Sequence, residues 1–301
     1  MQESGASPSH TPLSAWLALG TGLTAISTSV LFIRWAIEAP GETVAVWRTV
    51  FGALLLAPVA AMKAREEIRQ MSGREWLLVT GSGVFLGLHF VTWINSLHHT
   101  SVASASALVA LSPLFLAILG FFLLGERLTR RKQMALLVAI AGVAALGWID
   151  RSPSSEAAVR PLLGNALALA AAGFISVYLL IGRFVRQQRS WLAYVAPVYV
   201  VTALTTLVVA FIQDAPLLGW GWEIYALCLG MAFVPHLLGH GSLNWSLKYL
   251  SATTAGLASL CIPVVSSFWG AVAFGEIPSA PAMAAMALIL AALGLFVCSR
   301  R

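Results

Sequence analysis

SLHHTSVASASALVALSPLFLAILGFFLLGE, residues 96–126, returns as SLKYLSATTAGLASLCIPVVSSFWGAVAFGE at residues 246–276. At a constant offset of 150 residues and without a gap, Ser96/Ser246, Leu97/Leu247, Ser101/Ser251, Ala105/Ala255, Pro113/Pro263, Gly120/Gly270 and Gly125-Glu126/Gly275-Glu276 coincide. Agreement at Pro and Gly carries the most weight, because those residues fix backbone behaviour rather than merely adding apolar bulk. The offset is about half of the 301-residue chain. A repeat of that period sets the architecture, and the chain reads as two copies of one unit.

Composition sets the solvent. Hydrophobic residues make up 59% and charged residues only 10%, against about 25% charged in soluble domains. A run of about 20 apolar residues crosses a bilayer core. Ten such runs are visible: Leu13–Trp35, Thr43–Met62, Glu75–His98, Val102–Leu124, Lys132–Ile149, Pro161–Arg183, Trp191–Gln213, Gly221–Leu243, Ala252–Phe274 and Pro281–Ser299. Lipid leaves backbone polar groups no outside partner, and the runs lack the alternation of barrel strands. The expected fold class is therefore an all-α membrane protein of ten transmembrane helices. Residues 1–12 form a polar tail with no Lys or Arg, and the first run is too long for a cleaved signal peptide. The expected division is a tail at 1–12, a first repeat at 13–149, an external connector at 150–160 and a second repeat at 161–301.

Lys and Arg choose the orientation. With a cytoplasmic N-terminus, the outer side keeps only Arg34, Arg48, Arg151 and Arg160, and the other 14 of the 18 basic residues face inward. Both termini are then cytoplasmic, in a multi-pass protein of the inner (plasma) membrane. Five spans is an odd number, so the second copy enters the membrane from the opposite side. Inverted repeats of this kind typify secondary transporters, with the site at the repeat interface.

The residues resemble the drug/metabolite transporter superfamily, in particular its ten-helix EamA-type members. The resemblance rests on the paired units Ala103…Pro113…Gly125-Glu126 and Thr253…Pro263…Gly275-Glu276, and on Arg48 early in the second span. It covers nearly the whole chain, and it implies export of amino acids, other metabolites or drugs without choosing among them.

Polar residues at mid-depth are the candidate substrate contacts, because such groups usually face a cavity or the bundle interior. His89, Thr92, Trp93 and Ser96 share one helical face, as do His236, His240 and Asn244. For the histidines and Trp93, cavity lining is preferred to a structural hydrogen bond. Tyr199 lies mid-depth in the seventh span, and Thr24 and Thr28 form part of a stripe on the first. A single Thr at such a position more often bonds its own helix or a neighbour. Arg48 either snorkels to the interface or attracts a substrate carboxylate, and the sequence leaves both open. Pro113 and Pro263 are static kinks or hinges.

Several chemistries lack support. HLLGH at 236–240 has zinc-helix His spacing without the Glu that activates water. No GxxxxGK[ST] phosphate loop and no GxSxG elbow occurs. Cys228, Cys261 and Cys298 lack pairing or metal spacing. No cofactor or metal is expected, and the protein is expected not to be an enzyme. The basic residues cluster between apolar runs instead of forming a nucleic-acid face, so the partners are a small-molecule substrate and the lipid bilayer. Oligomeric state stays open, a monomer being one option. All twelve acidic residues lie in termini, loops or span ends, which favours facilitated diffusion or exchange over carboxylate-coupled proton transport. Histidine coupling through His89 or His236 stays open. The expected function is a secondary transporter of small metabolites, with amino acids the leading class, working by alternating access. A drug or aromatic-compound exporter, given Trp93, Trp245 and Trp269, and an intramembrane enzyme or sensor are the alternatives.

Overall fold

A computed structural model describes residues 12–124, 129–149, 159–186, 188–246, 249, 258–259 and 261–298. All regular elements among them are helices. The first span is α1 (Leu13–Ser27) and α2 (Ser29–Trp35), the second α3 (Gly41–Lys63), followed by the short connecting α4 (Arg65–Arg69). The third is α5 (Gly73–His99), the fourth α6 (Val102–Val109) with α7 (Ser112–Leu124), and the fifth α8 (Arg130–Ile149). The second half supplies α9 (Pro161–Val185) and α10 (Trp191–Ile212). Its eighth span joins α11 (Trp222–Met231), a π-helix (Ala232–His240) and α12 (Gly241–Ser246). Then come α13 (Cys261–Phe274) and α14 (Ala280–Cys298).

Seven of these stretches are long and apolar enough to cross a membrane. Three shorter apolar helices, Gln133–Gly142, Cys261–Phe274 and Ala280–Leu295, fall where the fifth, ninth and tenth spans are expected.

The packing respects an exchange of halves. The first span packs on the eighth, and the third packs on the sixth. Swapping the two halves turns one of these contacts into the other. The second span packs on the seventh, the fourth on the ninth and the fifth on the tenth, each with its own counterpart. Such pairing is what a two-fold relation between repeats produces, and it places the core of the bundle between the halves.

Three spans depart from continuous α-helix, each for a local reason. In the first, the hydroxyls of Ser27, Thr28 and Ser29 donate to the carbonyls of Leu23, Ala25 and Ile26. Side chains that return to their own helix in this way compete with the backbone ladder and bend it. In the fourth, α6 ends at Val109 and α7 begins at Ser112, because Pro113 has no N–H to continue the ladder. In the eighth, Pro235 lies inside the π-helix, whose wider turn absorbs the missing donor. The bend of the first span and the π-helix are neighbours, and a Cβ on Gly22 would meet the Gly239 carbonyl oxygen at 2.9 Å. Glycine is what lets these two backbones touch.

Candidate functional site

Four helices, two from each half, bring the central groups together. From α3 come Arg48 and, one turn further in, Gly52. From α5 come His89, Phe90 and Trp93, from α10 Tyr199, and from the π-helix His236 and His240.

Arg48 begins the cluster. Its side chain is 2% exposed, and its guanidinium carbon lies 4.2 Å from the centre of the Phe90 ring. Among the described residues, Nε and Nη1 have no hydrogen-bond acceptor. Snorkelling is therefore not what Arg48 does, since its head is covered by protein. Phe90 also packs against His236, at 5.0 Å between ring centres. His236 in turn lies 4.1 Å from the Tyr199 ring and 6.1 Å from that of His240. It is 1% exposed, and neither of its ring nitrogens has a partner among the described residues. Gly52 makes room for it: a Cβ there would come within 3.0 Å of His236 Nδ1 and 3.9 Å of Tyr199.

A buried cation and a buried imidazole with unpaired nitrogens are costly, and natural cores rarely leave such groups unpaired without a functional reason. The arrangement is an aromatic-walled seat with four nitrogens able to donate or exchange hydrogen bonds: Nε and Nη1 of Arg48 and the two ring nitrogens of His236. It suits reversible binding of a polar group within apolar walls.

The other residues proposed from sequence fall differently. His89 is buried, and its Nδ1 lies 2.9 Å from the Ala171 carbonyl oxygen, so Nδ1 carries the proton and ties α5 to α9. Trp93 is nearly buried one turn along α5 from His89 and packs into the apolar core. Thr28 is half-buried and spends its hydroxyl on Ala25, while Thr24 lies on an exposed face of α1. Neither threonine hydrogen-bonds to the Arg48–His236 cluster among the described residues. Pro113 and Pro263 both lie in the first turn of a helical segment, of α7 and α13. The side chain of Asn244 is outside the described ones. Phe90 and Gly52 were not singled out from sequence. Gly52 is four residues from Arg48, a helical neighbour spacing that could have pointed to it, whereas no spacing in the sequence marks Phe90. Among the described residues, no three His, Cys, Asp or Glu side chains come together as metal ligands would.

The repeated Gly-Glu has a visible job in the second half. Gly275 has φ +67°, and its N–H bonds the Ala271 carbonyl in a left-handed helix cap. That turn swings Glu276 back across the bundle to Arg34 at 2.9 Å. Its other oxygen accepts from the Val102 N–H at the start of α6, at 3.0 Å. Arg34 also donates to the Leu97 and Thr100 carbonyls. At the far end of the bundle Arg189 pairs with Glu75 and also donates to the Glu67 and Gln70 carbonyls. Glu126, the counterpart of Glu276, lies outside the described residues.

The EamA-like transporter family model matches residues 13–148 and again 162–298. The pseudopaline exporter CntI of Pseudomonas aeruginosa (strain UCBPP-PA14) is 28% identical over 254 residues, 84% of each chain. Protein RarD of Salmonella typhi is 24% identical over 258 residues, 84% of this chain and 82% of that one. A protein of Streptantibioticus cattleyicolor named a probable terminal-alkyne amino-acid exporter is 23% identical over 203 residues, 67% of this chain and 66% of that one. A solved crystal structure shares the fold with a TM-score of 0.62 at 22% identity, over 94% of this chain and 96% of that one. The family and these exporter names point to transport and not to enzymatic catalysis. With two matched copies spanning nearly the whole chain, this multi-pass membrane protein belongs to the EamA-like transporter family.

Proposed function

We propose that the protein exports small amino-acid-like metabolites across the inner membrane by alternating access around the Arg48–Phe90–His236–Tyr199 cluster. The observation that carries this reading is a set of polar groups unpaired among the described residues and buried between the two halves, at Arg48 and His236. Transport by exposure to each side in turn needs a site of that kind at the repeat interface. Relatives named as exporters of pseudopaline and of a terminal-alkyne amino acid support amphipathic, amino-acid-like solutes. His89, Trp93 and His240 line the same region in this reading, with Thr24 and Thr28 at its margin. Pro113 and Pro263 serve as corresponding hinges of the fourth and ninth spans. The two repeats are residues 13–149 and 161–301, the connector 150–160 is external, and both termini are cytoplasmic. Transport runs down the solute gradient or by exchange.

Purified protein in liposomes tests this directly. Flux of amino acids or their amphipathic derivatives, recovered chemically unchanged, is the expected result. Covalent conversion of the solute, or no flux across a broad panel, would overturn it.

A further inference from the structure

The charge lining the central seat is of one sign. Arg48 is the buried cation, and Phe90, which it covers, also packs against His236, with His240 6.1 Å beyond. Carboxylates with recorded partners lie at span ends and are engaged there: Glu42 with Asn95, Glu75 with Arg189, Glu276 with Arg34. Among the described residues no Asp or Glu bonds Arg48, whose Nε and Nη1 have no acceptor. A buried guanidinium without an anion is among the costliest groups a bundle can hold.

The same geometry is unfavourable for a substrate cation. An ammonium group at this position would be repelled by Arg48 across a medium that screens charge poorly. One aromatic face that could hold a cation, that of Phe90, is already covered by Arg48 at 4.2 Å. A carboxylate instead finds two unpaired N–H donors, at Nε and Nη1, and donation from a cation to an anion gives the stronger, charge-assisted hydrogen bonds. A ring nitrogen of His236, which also packs against Phe90, supplies one more donor when its proton is on that atom. Arg48 lies seven residues inside the start of α3, about 10 Å along the axis at 1.5 Å per residue. Its side chain is 2% exposed, so protein shields it from lipid headgroups and water.

We infer that the Arg48–Phe90–His236 seat reads the carboxylate of its solute and makes no use of an α-ammonium group, so that its substrate class is organic acids with an apolar body. This rests on the transport reading above and sharpens it. Amino acids qualify by their acid end alone, and deaminated or N-acylated acids qualify equally.

Four compounds with one skeleton separate the two ends: phenylalanine, 3-phenylpropionate, phenylalaninamide and phenethylamine. Their effect on the thermal unfolding midpoint of the purified protein is measured by titration, beside chloride as a control anion. The expected result is concentration-dependent stabilisation by phenylalanine and 3-phenylpropionate alike, and none by the two amines. Arg48→Gln is expected to weaken both acids by at least about tenfold, the loss typical of a charge-assisted hydrogen bond. His236→Gln is expected to weaken them by a smaller factor, and it gives a second variant should Arg48→Gln fail to purify. The inference is overturned if no acid binds better than its amine counterpart, if phenylalanine binds and 3-phenylpropionate does not, or if the acid preference survives Arg48→Gln. Liposome flux over a broad panel separates the two readings. Flux without preference for acids removes the carboxylate assignment and leaves transport standing. Absence of all flux removes transport, and the midpoint titrations still decide what the seat binds.

Discussion

Arg34 and Glu276, from opposite halves of the chain, form an ion pair of 2.9 Å with both side chains less than a tenth exposed. The pair joins the end of the first span to the end of the ninth, and through the Val102 N–H to the start of the fourth. It fastens the end of the bundle that the basic-residue distribution assigns to the outside. Removing one partner of a buried pair leaves the other charge uncompensated, at a cost of about 3 kcal/mol. Glu276→Leu and Arg34→Met are therefore each expected to lower the unfolding midpoint, while the double variant Arg34→Met/Glu276→Leu recovers part of the loss. A double variant as unstable as the sum of the singles would refute a coupled pair.

Gly52→Ala is expected to change solute preference. The added Cβ would meet His236 Nδ1 at 3.0 Å and displace a ring already wedged against Phe90 and Tyr199. Gly20→Ala, with nothing within 4 Å, is the matched control. The flux panel on equal amounts of each variant decides, and identical profiles for Gly52→Ala and the parent would place the solute elsewhere.

Gly22→Ala is expected to destabilise without altering preference. Its Cβ would meet backbone atoms of Gly239 and Leu243, both at 2.9 Å. Backbone cannot rotate away as a side chain can, so the overpacking costs about 1–3 kcal/mol. A thermal midpoint equal to the parent's would mean that the first and eighth spans separate freely.

The acid limb of stability has a predicted contributor at Glu67. Hydrogen bonds from the Ser190 hydroxyl, then from the Ser190 N–H, with Arg189 nearby, hold its carboxyl below the usual carboxylate range. A lowered folded-state value means that the stabilisation is complete above the unfolded value and fades as pH falls through the folded one. The midpoint difference between parent and Glu67→Gln is thus expected to be present at neutral pH and to shrink on acidification. A difference that grows toward acid would contradict the sign.

Topology is testable by labelling. In a background without Cys228, Cys261 and Cys298, cysteines placed at Gln70 and at Ser154 are expected to react with an impermeant reagent from opposite sides. Labelling of both from one side would contradict an odd number of spans per repeat.

The duplicated Pro, Gly and Gly-Glu positions were legible in the sequence because they are backbone constraints, which survive translation into any packing. They mark two copies of one unit, and the family model matches the chain twice, at 13–148 and 162–298. Hydropathy also found Arg48, His236 and Tyr199 as polar interruptions of apolar helices, since lipid makes such residues conspicuous wherever they occur. What hydropathy could not supply is direction around and between helices. His89 and His236 look alike in sequence, yet one bonds the Ala171 carbonyl and the other keeps both ring nitrogens unpaired among the described residues. Thr28 reads as part of a polar stripe, but its hydroxyl donates to the Ala25 carbonyl of its own span at 2.7 Å. Phe90 and Gly52 carry no polar signal, and their roles exist only because α5 and α3 meet the π-helix. The sequence alone therefore determined the solvent, the spans and the repeat, which depend on local transfer energies and backbone limits. Only the tertiary structure decided which polar groups are already satisfied, because that depends on partners brought together from distant parts of the chain.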